Sequence, residues 1–110
     1  MVETTQLDKV DVVKAAGRID GHTSPDLKEA FDGLLDQSRY KLVFDMSEID
    51  FLSSSGVWVL LETQKRCRRR NRGDLVIASA NDNIQKTLDL AGLVHFMKMY
   101  EDVDSAVGSF

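Results

Sequence analysis

The 110 residues are enough for one domain with a single hydrophobic core, and we expect that domain to span residues 1–110. The net charge of −4 argues against binding of nucleic acid by charge, and no apolar run approaches the roughly 20 residues of a membrane span. The N-terminal residues lack the apolar core of a signal peptide, and the single cysteine, Cys67, cannot form an internal disulfide. We therefore expect a cytoplasmic protein without membrane insertion.

Two strands are predicted at the start of the chain, over residues 4–10 and 11–19, with a turn around residues 8–11. The first strand is poor in apolar residues, which is typical of a sheet edge. The second is rich in valine and alanine, and Gly17 within it indicates a bulge or a close backbone approach.

A helix is predicted to begin at Ser24-Pro25-Asp26, because the three residues supply an N-cap, a proline at the first helical position and an acid in the first turn. Apolar residues then recur at the spacing of an amphipathic helix that ends near residues 37–38. These residues are Leu27, Ala30, Phe31, Leu34 and Leu35.

The next stretch predicts a strand, a loop and a helix start. Residues 41–46 form an almost continuous apolar run, which is typical of a strand buried on both faces of a parallel sheet. Residues 47–52 are predicted to be a loop that leads into Ser53, Ser54, Ser55 and Gly56. The apolar spacing after Gly56 is helical, so Ser53 or Ser54 is the expected N-cap.

This second helix is predicted to run from about Ser54 to Asn71, with Gly73 as its stop. Trp58 and Val59 lie off its apolar stripe, since Trp58 is about 120° from the centre of the stripe. An exposed tryptophan there would be a binding anchor, and the alternative is that another element covers it. The predicted stripe contains Val57, Leu60, Leu61 and Cys67, with Gln64 at its edge.

The helix ends in a basic run, residues 65–72, which contains six of the fourteen basic residues of the chain. Cations complement the negative end of the helix dipole, and this is the interpretation we favour. The alternative is a surface for an anionic partner or nucleic acid, but no aromatic residue interrupts the run.

The rest of the chain completes an α/β pattern. A strand is predicted over residues 74–79, a helix capped by Asn81 or Asp82, a last strand over residues 93–100 and a short helix within residues 101–110. Helix residues predicted to face inward are Ile84, Thr87, Leu88 and Ala91. The strand–helix–strand order implies a right-handed crossover between parallel strands.

The serines at the second helix have two interpretations. A hydroxyl in the first turn would face free backbone N–H groups and the positive end of the dipole, which together would stabilise a phosphate. Gly56 has no side chain, so a partner could approach the backbone there. The other interpretation is an N-cap alone, which the spacing by itself favours.

No enzyme constellation is evident. Ser54 and Gly56 supply half of a nucleophile elbow, but residue 52 is leucine where glycine is needed. His22 and His95 lie 73 positions apart, without an acid pattern that points to a triad or a metal site. We predict that the protein is not an enzyme and holds no metal or cofactor, so any ATP site would be on a partner.

Three stretches of the chain resemble the bacterial anti-sigma factor antagonists, which are small STAS-domain proteins. FDMSEIDFLSSSGVWVL resembles the family's phosphoacceptor strand, loop and helix start, in which Asp-Ser-Ser-Gly or Asp-Ser-Thr-Gly opens the helix. GRIDGHTSPDL resembles its Gly-x-Leu-Asp-x-x-Thr segment, and NDNIQKTLDLAGLVHFMKMY its C-terminal part. The resemblance covers about residues 10–100. It implies a single STAS-like α/β domain with a mixed, mostly central-parallel sheet of four to five strands and helices mainly on one face.

The resemblance also assigns site residues. The phosphorylated serine of the family falls on Ser54, and its aspartate falls on Ser53, which is a departure because serine supplies no negative charge. The implied surroundings of the phosphate are Asp20, Ser53, Ser55 and Gly56. The predicted partner-binding residues are Asp20, Gly21, His22 and Thr23, together with Trp58, which is included for its position off the apolar stripe.

The function implied is that of an antagonist in a partner-switching pathway. The unphosphorylated protein would bind an anti-sigma factor with serine kinase activity and free the sigma factor, phosphorylation of Ser54 would block binding, and a serine phosphatase would reset the system. The protein would be a monomer or a weak homodimer. One alternative is a STAS accessory subunit of a membrane transporter that acts without phosphorylation, and a weaker one is an esterase that uses Ser54.

Overall fold

The computed structural model describes residues 2–70 and 73–110. A turn of 3-10 helix at Leu93–His95 lies between the third helix and the last strand. The elements in chain order are β1 (Val2–Gln6), β2 (Asp11–Ile19), α1 (Ser24–Asp36), β3 (Lys41–Leu52), α2 (Ser54–Arg68), β4 (Asp74–Ala78), α3 (Asp82–Leu90), β5 (Met99–Tyr100) and α4 (Val103–Gly108).

The strands form one five-stranded sheet in the order β1-β2-β3-β4-β5. β1 pairs antiparallel with β2, and every other neighbouring pair is parallel. Helices α1, α2 and α3 contribute to the core on one face of the sheet, and α4 packs on the other. The predicted fold class is confirmed, since this is a single α/β domain with a mixed, mostly parallel sheet.

Two apolar clusters fill the space on either side of the sheet. The larger lies beneath the three helices and includes Phe31 of α1, whose ring meets Phe44 of β3 edge to face at a centroid distance of 5.7 Å. The smaller joins Val43 and Val76 to Ala106 of α4. Because the central strands are buried on both faces, residues 42–46 are all buried, as the continuous apolar run predicts.

Two strand predictions are wrong in their extent. β1 covers Val2–Gln6 rather than residues 4–10. β3 continues through residues 47–52, which were predicted to be a loop, because this segment still pairs with β2. The pairing shifts register twice along β2, between Lys14 and Ala16 and between Gly17 and Arg18. These irregularities disturb the simple alternation by which such a strand is recognised.

The second helix also differs from its prediction. α2 ends at Arg68, and the predicted end at Asn71 lies outside the described residues. Val59 is buried, whereas Val57 and Leu61 of the predicted stripe are only half-buried. The face of α2 that packs on the core therefore includes Val59 and is rotated away from the predicted stripe, since Gly56, Thr63 and Gln64 are buried as well.

The remaining differences concern helix ends and the last strand. Thr23, not Ser24, is the N-cap of α1. Asn81 caps α3, as one of the two predicted alternatives, but Ala91 is exposed rather than inward-facing. Residues 93–98 are not a strand, because the chain turns at Leu93–His95 and so buries both Leu93 and the later Met97 against the core. A short terminal helix, α4, is confirmed.

No helix in residues 2–70 or 73–110 has both the length and the apolar character needed to span a bilayer.

Candidate functional site

The candidate site lies where the parallel strands β2 and β3 end. Arg18 is paired with Phe51, and Ile19 with Leu52, at the last positions of the two strands. The backbone N–H of Ser53 then donates to the carbonyl of Ile19 at 2.8 Å. The fold therefore brings the segment that follows β2, residues 20–23, next to the serines that open α2.

The three serines have different environments. Ser53 is the N-cap, and its Oγ accepts a hydrogen bond from the N–H of Gly56 at 3.4 Å. The hydroxyls of Ser53 and Ser55 also hydrogen-bond to each other at 2.7 Å, and both residues are half-buried. Ser54 is exposed, and its hydroxyl makes no hydrogen bond to any residue in the described part of the chain. Of the three hydroxyls, that of Ser54 is the most accessible to a partner.

Gly56 has an internal reason to be glycine. It is buried, and a Cβ at this position would lie 2.6 Å from Cδ1 of Leu52 and 2.8 Å from Cγ2 of Ile19. Both neighbours are buried at the ends of β3 and β2. The glycine therefore lets the first turn of α2 pack closely on the strand ends, which positions Ser54 at the surface.

Gly56→Ala should lower the free energy of unfolding by about 1–2 kcal/mol, because the energetic cost of the added methyl group in a packed space exceeds the gain from alanine's higher helix propensity. The matched control is Gly33→Ala in α1, where a Cβ would meet no atom within 4 Å. That variant should be more stable by about 0.5–1 kcal/mol. Urea unfolding of both variants measures the difference, and equal effects at the two positions would contradict the packing explanation.

The loop after β2 is held by Asp20 and Thr23. One carboxylate oxygen of Asp20 accepts from the N–H of His22 at 3.0 Å and from that of Thr23 at 3.2 Å. The hydroxyl of Thr23 donates to the carbonyl of Arg18 at 2.7 Å and accepts from the N–H of Asp20 at 2.9 Å. The hydrogen bond from His22, helped by those from Thr23 and by the charge of Arg18, lowers the pKa of the Asp20 carboxyl.

Arg18 and Phe51 belong to the surroundings of this loop, although no sequence motif indicated them. The guanidinium of Arg18 lies 4.2 Å from the ring centroid of Phe51 and 3.8 Å from the carboxylate of Asp20. Phe51 is exposed although it is a large apolar residue. A large apolar residue such as Phe51 is unusual in a loop, and this was the signal that could have indicated that Phe51 lies on a strand.

Trp58 is exposed, with 65% of its surface accessible. This exposure confirms the prediction that Trp58 lies off the core, and the alternative that another element covers it is wrong. Trp58 lies one turn after Ser54 on the same helix. No hydrogen bond or ion pair recorded within residues 2–70 and 73–110 ties Trp58 to the loop at residues 20–23. The two predicted partner-binding segments are thus separate elements beside the same helix start.

Comparison with known proteins identifies the family. The model of the STAS domain family matches residues 1–106, and the chain belongs to that family. The anti-sigma-B factor antagonist of Staphylococcus aureus (strain NCTC 8325 / PS 47) is 24% identical over 103 residues, which cover 94% of each protein. The crystal structure of an anti-sigma factor antagonist from Mycobacterium paratuberculosis is 25% identical, with a TM-score of 0.88 over 99% of this chain and 92% of that chain.

Two more distant structures show that the fold is shared more widely. SpoIIAA, the Bacillus cell fate determinant, in its phosphorylated form has a TM-score of 0.76 at 16% identity, over 99% of this chain and 98% of that chain. A sulfate transporter family protein from Wolinella succinogenes has a TM-score of 0.77 at 18% identity, over 92% of this chain and 84% of that chain. At these identities the likeness establishes the fold alone.

Proposed function

We propose that this protein is an anti-sigma factor antagonist that works by partner switching. In its unphosphorylated form it binds an anti-sigma factor with serine kinase activity, and phosphorylation of Ser54 releases it. The observation that carries the proposal is the exposed hydroxyl of Ser54 at the start of α2, one turn from the exposed Trp58. The similarity to proteins named as anti-sigma factor antagonists supports it.

The helix start can accept a phosphate without loss of the fold. The first N–H groups of a helix have no intrahelical acceptor, and the dipole places partial positive charge there. The first turn of α2 contains no acid, so a phosphate would add a charge of about −1.5 to −2 to a turn that is otherwise neutral. Ser53 keeps the cap in place, because its own hydroxyl accepts from Gly56. The change on phosphorylation is therefore local to the surface that a partner would contact.

The test of this function is sigma release. The protein is added to a complex of the anti-sigma factor and its sigma factor, and free sigma factor is measured by size-exclusion chromatography. We expect stoichiometric release by unphosphorylated protein, none by protein phosphorylated with the anti-sigma kinase, and recovery after treatment with a serine phosphatase. If no anti-sigma factor encoded near the protein binds it, whereas a transporter permease does, the transporter-subunit alternative replaces this proposal.

Trp58→Ala should weaken binding of the anti-sigma factor by about 2 kcal/mol, roughly thirtyfold, because exposed tryptophans often carry much of an interface's energy. Its stability should hardly change, since the side chain makes little contact with the core. Isothermal titration calorimetry and thermal unfolding measure the two effects.

The matched control for Trp58 is Phe96→Ala. Phe96 is also an exposed aromatic residue, with 59% of its surface accessible, but it follows the 3-10 turn rather than the serines. We expect this variant to bind the partner like the parent. A Trp58→Ala variant that loses stability instead of affinity, or a larger binding loss for Phe96→Ala, would contradict the role given to Trp58.

A further inference from the structure

One of the two edges of the sheet is the exposed strand β1, and the other is the two-residue strand β5. Strand β1 has one neighbour, β2, and four of its five residues are exposed. Natural edge strands are usually protected against pairing by charged side chains, above all lysine, by proline, by a bulge, by short length or by a covering element. The sequence of β1, VETTQ, has one charged residue, Glu3, and no proline, and its pairing with β2 proceeds without a register shift.

The hydrogen-bond phase of β1 follows from its hairpin with β2. The N–H of Leu7 donates to the carbonyl of Val10 at 2.9 Å, which makes these two residues a hydrogen-bonded pair. In an antiparallel ladder such pairs alternate, so Glu3 and Thr5 direct their backbone groups toward β2. The backbone N–H and C=O groups of Val2, Thr4 and Gln6 therefore point outward from the sheet.

We propose that this edge pairs with β1 of a second copy of the chain, antiparallel and with the two-fold axis at Thr4. That register places Val2 opposite Gln6 and Thr4 opposite Thr4. Three outward residues in each copy then exchange N–H and C=O groups, which gives six intermolecular hydrogen bonds. Such an interface is self-complementary, as a symmetric dimer requires.

The side chains of β1 are compatible with this register. Glu3, the only charged residue of the strand, lies opposite Thr5 of the second copy, so no like charges face each other. On the helix side, Val2, Thr4 and Gln6 line an open groove of about 570 Å³ between β1 and α1. The small residues Ala30 and Gly33 contribute to the α1 wall of this groove, which leaves room beside the new strand pair.

Two features make the dimer weak and leave the site free. Asp26 and Glu29 also line the groove, so acids of both copies oppose close approach of the two α1 helices. The two-fold axis is perpendicular to the sheet, so β2 and β3 of the two copies run in opposite directions. The two copies then share one continuous ten-stranded sheet. The strand ends that carry Ser54 point in opposite directions in the two copies, so pairing of β1 covers neither Ser54.

Charge substitutions at neighbouring positions test the edge and its register together. Thr4→Glu places two carboxylates opposite each other on the axis, beside Asp26 and Glu29 of both copies, and should raise the dimer dissociation constant at least tenfold. Thr5→Lys faces Glu3 of the second copy and should lower the dissociation constant, because it creates two cross-strand ion pairs. Both substitutions are at exposed positions, and circular dichroism confirms that each variant is folded.

Sedimentation velocity over a concentration series gives the dissociation constants, and amide hydrogen exchange gives the register. In the parent protein, the amides of Thr4 and Gln6 should become protected as concentration rises, whereas those of Glu3 and Thr5 are protected at every concentration. A parent that stays monomeric at the concentrations used for NMR would overturn the proposal. So would equal effects of the two substitutions on the dissociation constant, or concentration-dependent protection elsewhere in the chain but not in β1.

Discussion

Arg39→Leu is expected to lower the melting temperature by roughly 10 °C or more, because it leaves a buried carboxylate without its partner. Asp11, at the start of β2, is completely buried. The guanidinium of Arg39 contacts both of its oxygens, with Nε 2.7 Å from one and a terminal nitrogen 3.0 Å from the other. The same terminal nitrogen donates to the carbonyl of Leu7 at 2.9 Å, so this side chain joins the β1–β2 turn to the start of β3.

Differential scanning calorimetry measures the effect, and two controls identify its cause. Lys28→Met removes an exposed ion pair with Asp32 and should shift the melting temperature by less than about 4 °C. The double variant Asp11→Leu with Arg39→Leu should be more stable than Arg39→Leu alone, because no unpaired charge remains. The stabilising role of the buried pair would be contradicted if Arg39→Leu melts like the parent, or if the double variant is less stable than Arg39→Leu.

Ser54→Asp is expected to weaken binding of the nucleotide-loaded anti-sigma factor a hundredfold or more, equivalent to about 3 kcal/mol. The added carboxylate would lose its water at the interface without gaining a partner. A kinase must also bring ATP phosphates near the acceptor hydroxyl, so the charge would meet repulsion there. The fold should be unaffected, since Ser54 is exposed and Ser53 supplies the cap of α2.

A control variant with the same added charge at another helix start distinguishes the effect of the position from the effect of the charge. Asn83→Asp adds the same charge to the exposed first turn of a different helix, α3, and should bind the partner like the parent. Circular dichroism and melting should be native-like for both variants. A Ser54→Asp variant that binds as tightly as the parent, or that fails to bind only because it is unfolded, would contradict the switch at this residue.

The sequence predicted the parts of the fold that depend on uniform patterns. The continuous apolar run of β3 and the periodic helix α1 were placed correctly, because full burial and a one-sided helix leave regular signals. The second half of β3 was missed because the register shifts opposite β2 place Phe51 outward and Leu52 inward without simple alternation. The 3-10 turn at Leu93 was missed because a short apolar run fits a strand equally well.

The candidate site was predictable in part for the same reason. Ser53 as cap and Trp58 as an exposed residue follow from local helix geometry, which the sequence shows directly. The burial of Gly56 against Ile19 and the stacking of Arg18 on Phe51 depend on how two distant strands end side by side. Such contacts join residues more than 30 positions apart, and no local pattern records them.

Mapping the phosphate tests the proposed switch at Ser54 directly. The protein is incubated with the anti-sigma kinase that binds it and ATP, and the modified residue is identified by tandem mass spectrometry, with Ser54→Ala as the control. We expect one phosphate, on Ser54, and none on the folded Ser54→Ala variant. Phosphate on Ser53 or Ser55 instead, undiminished labelling of Ser54→Ala, or no labelling of the parent would contradict it.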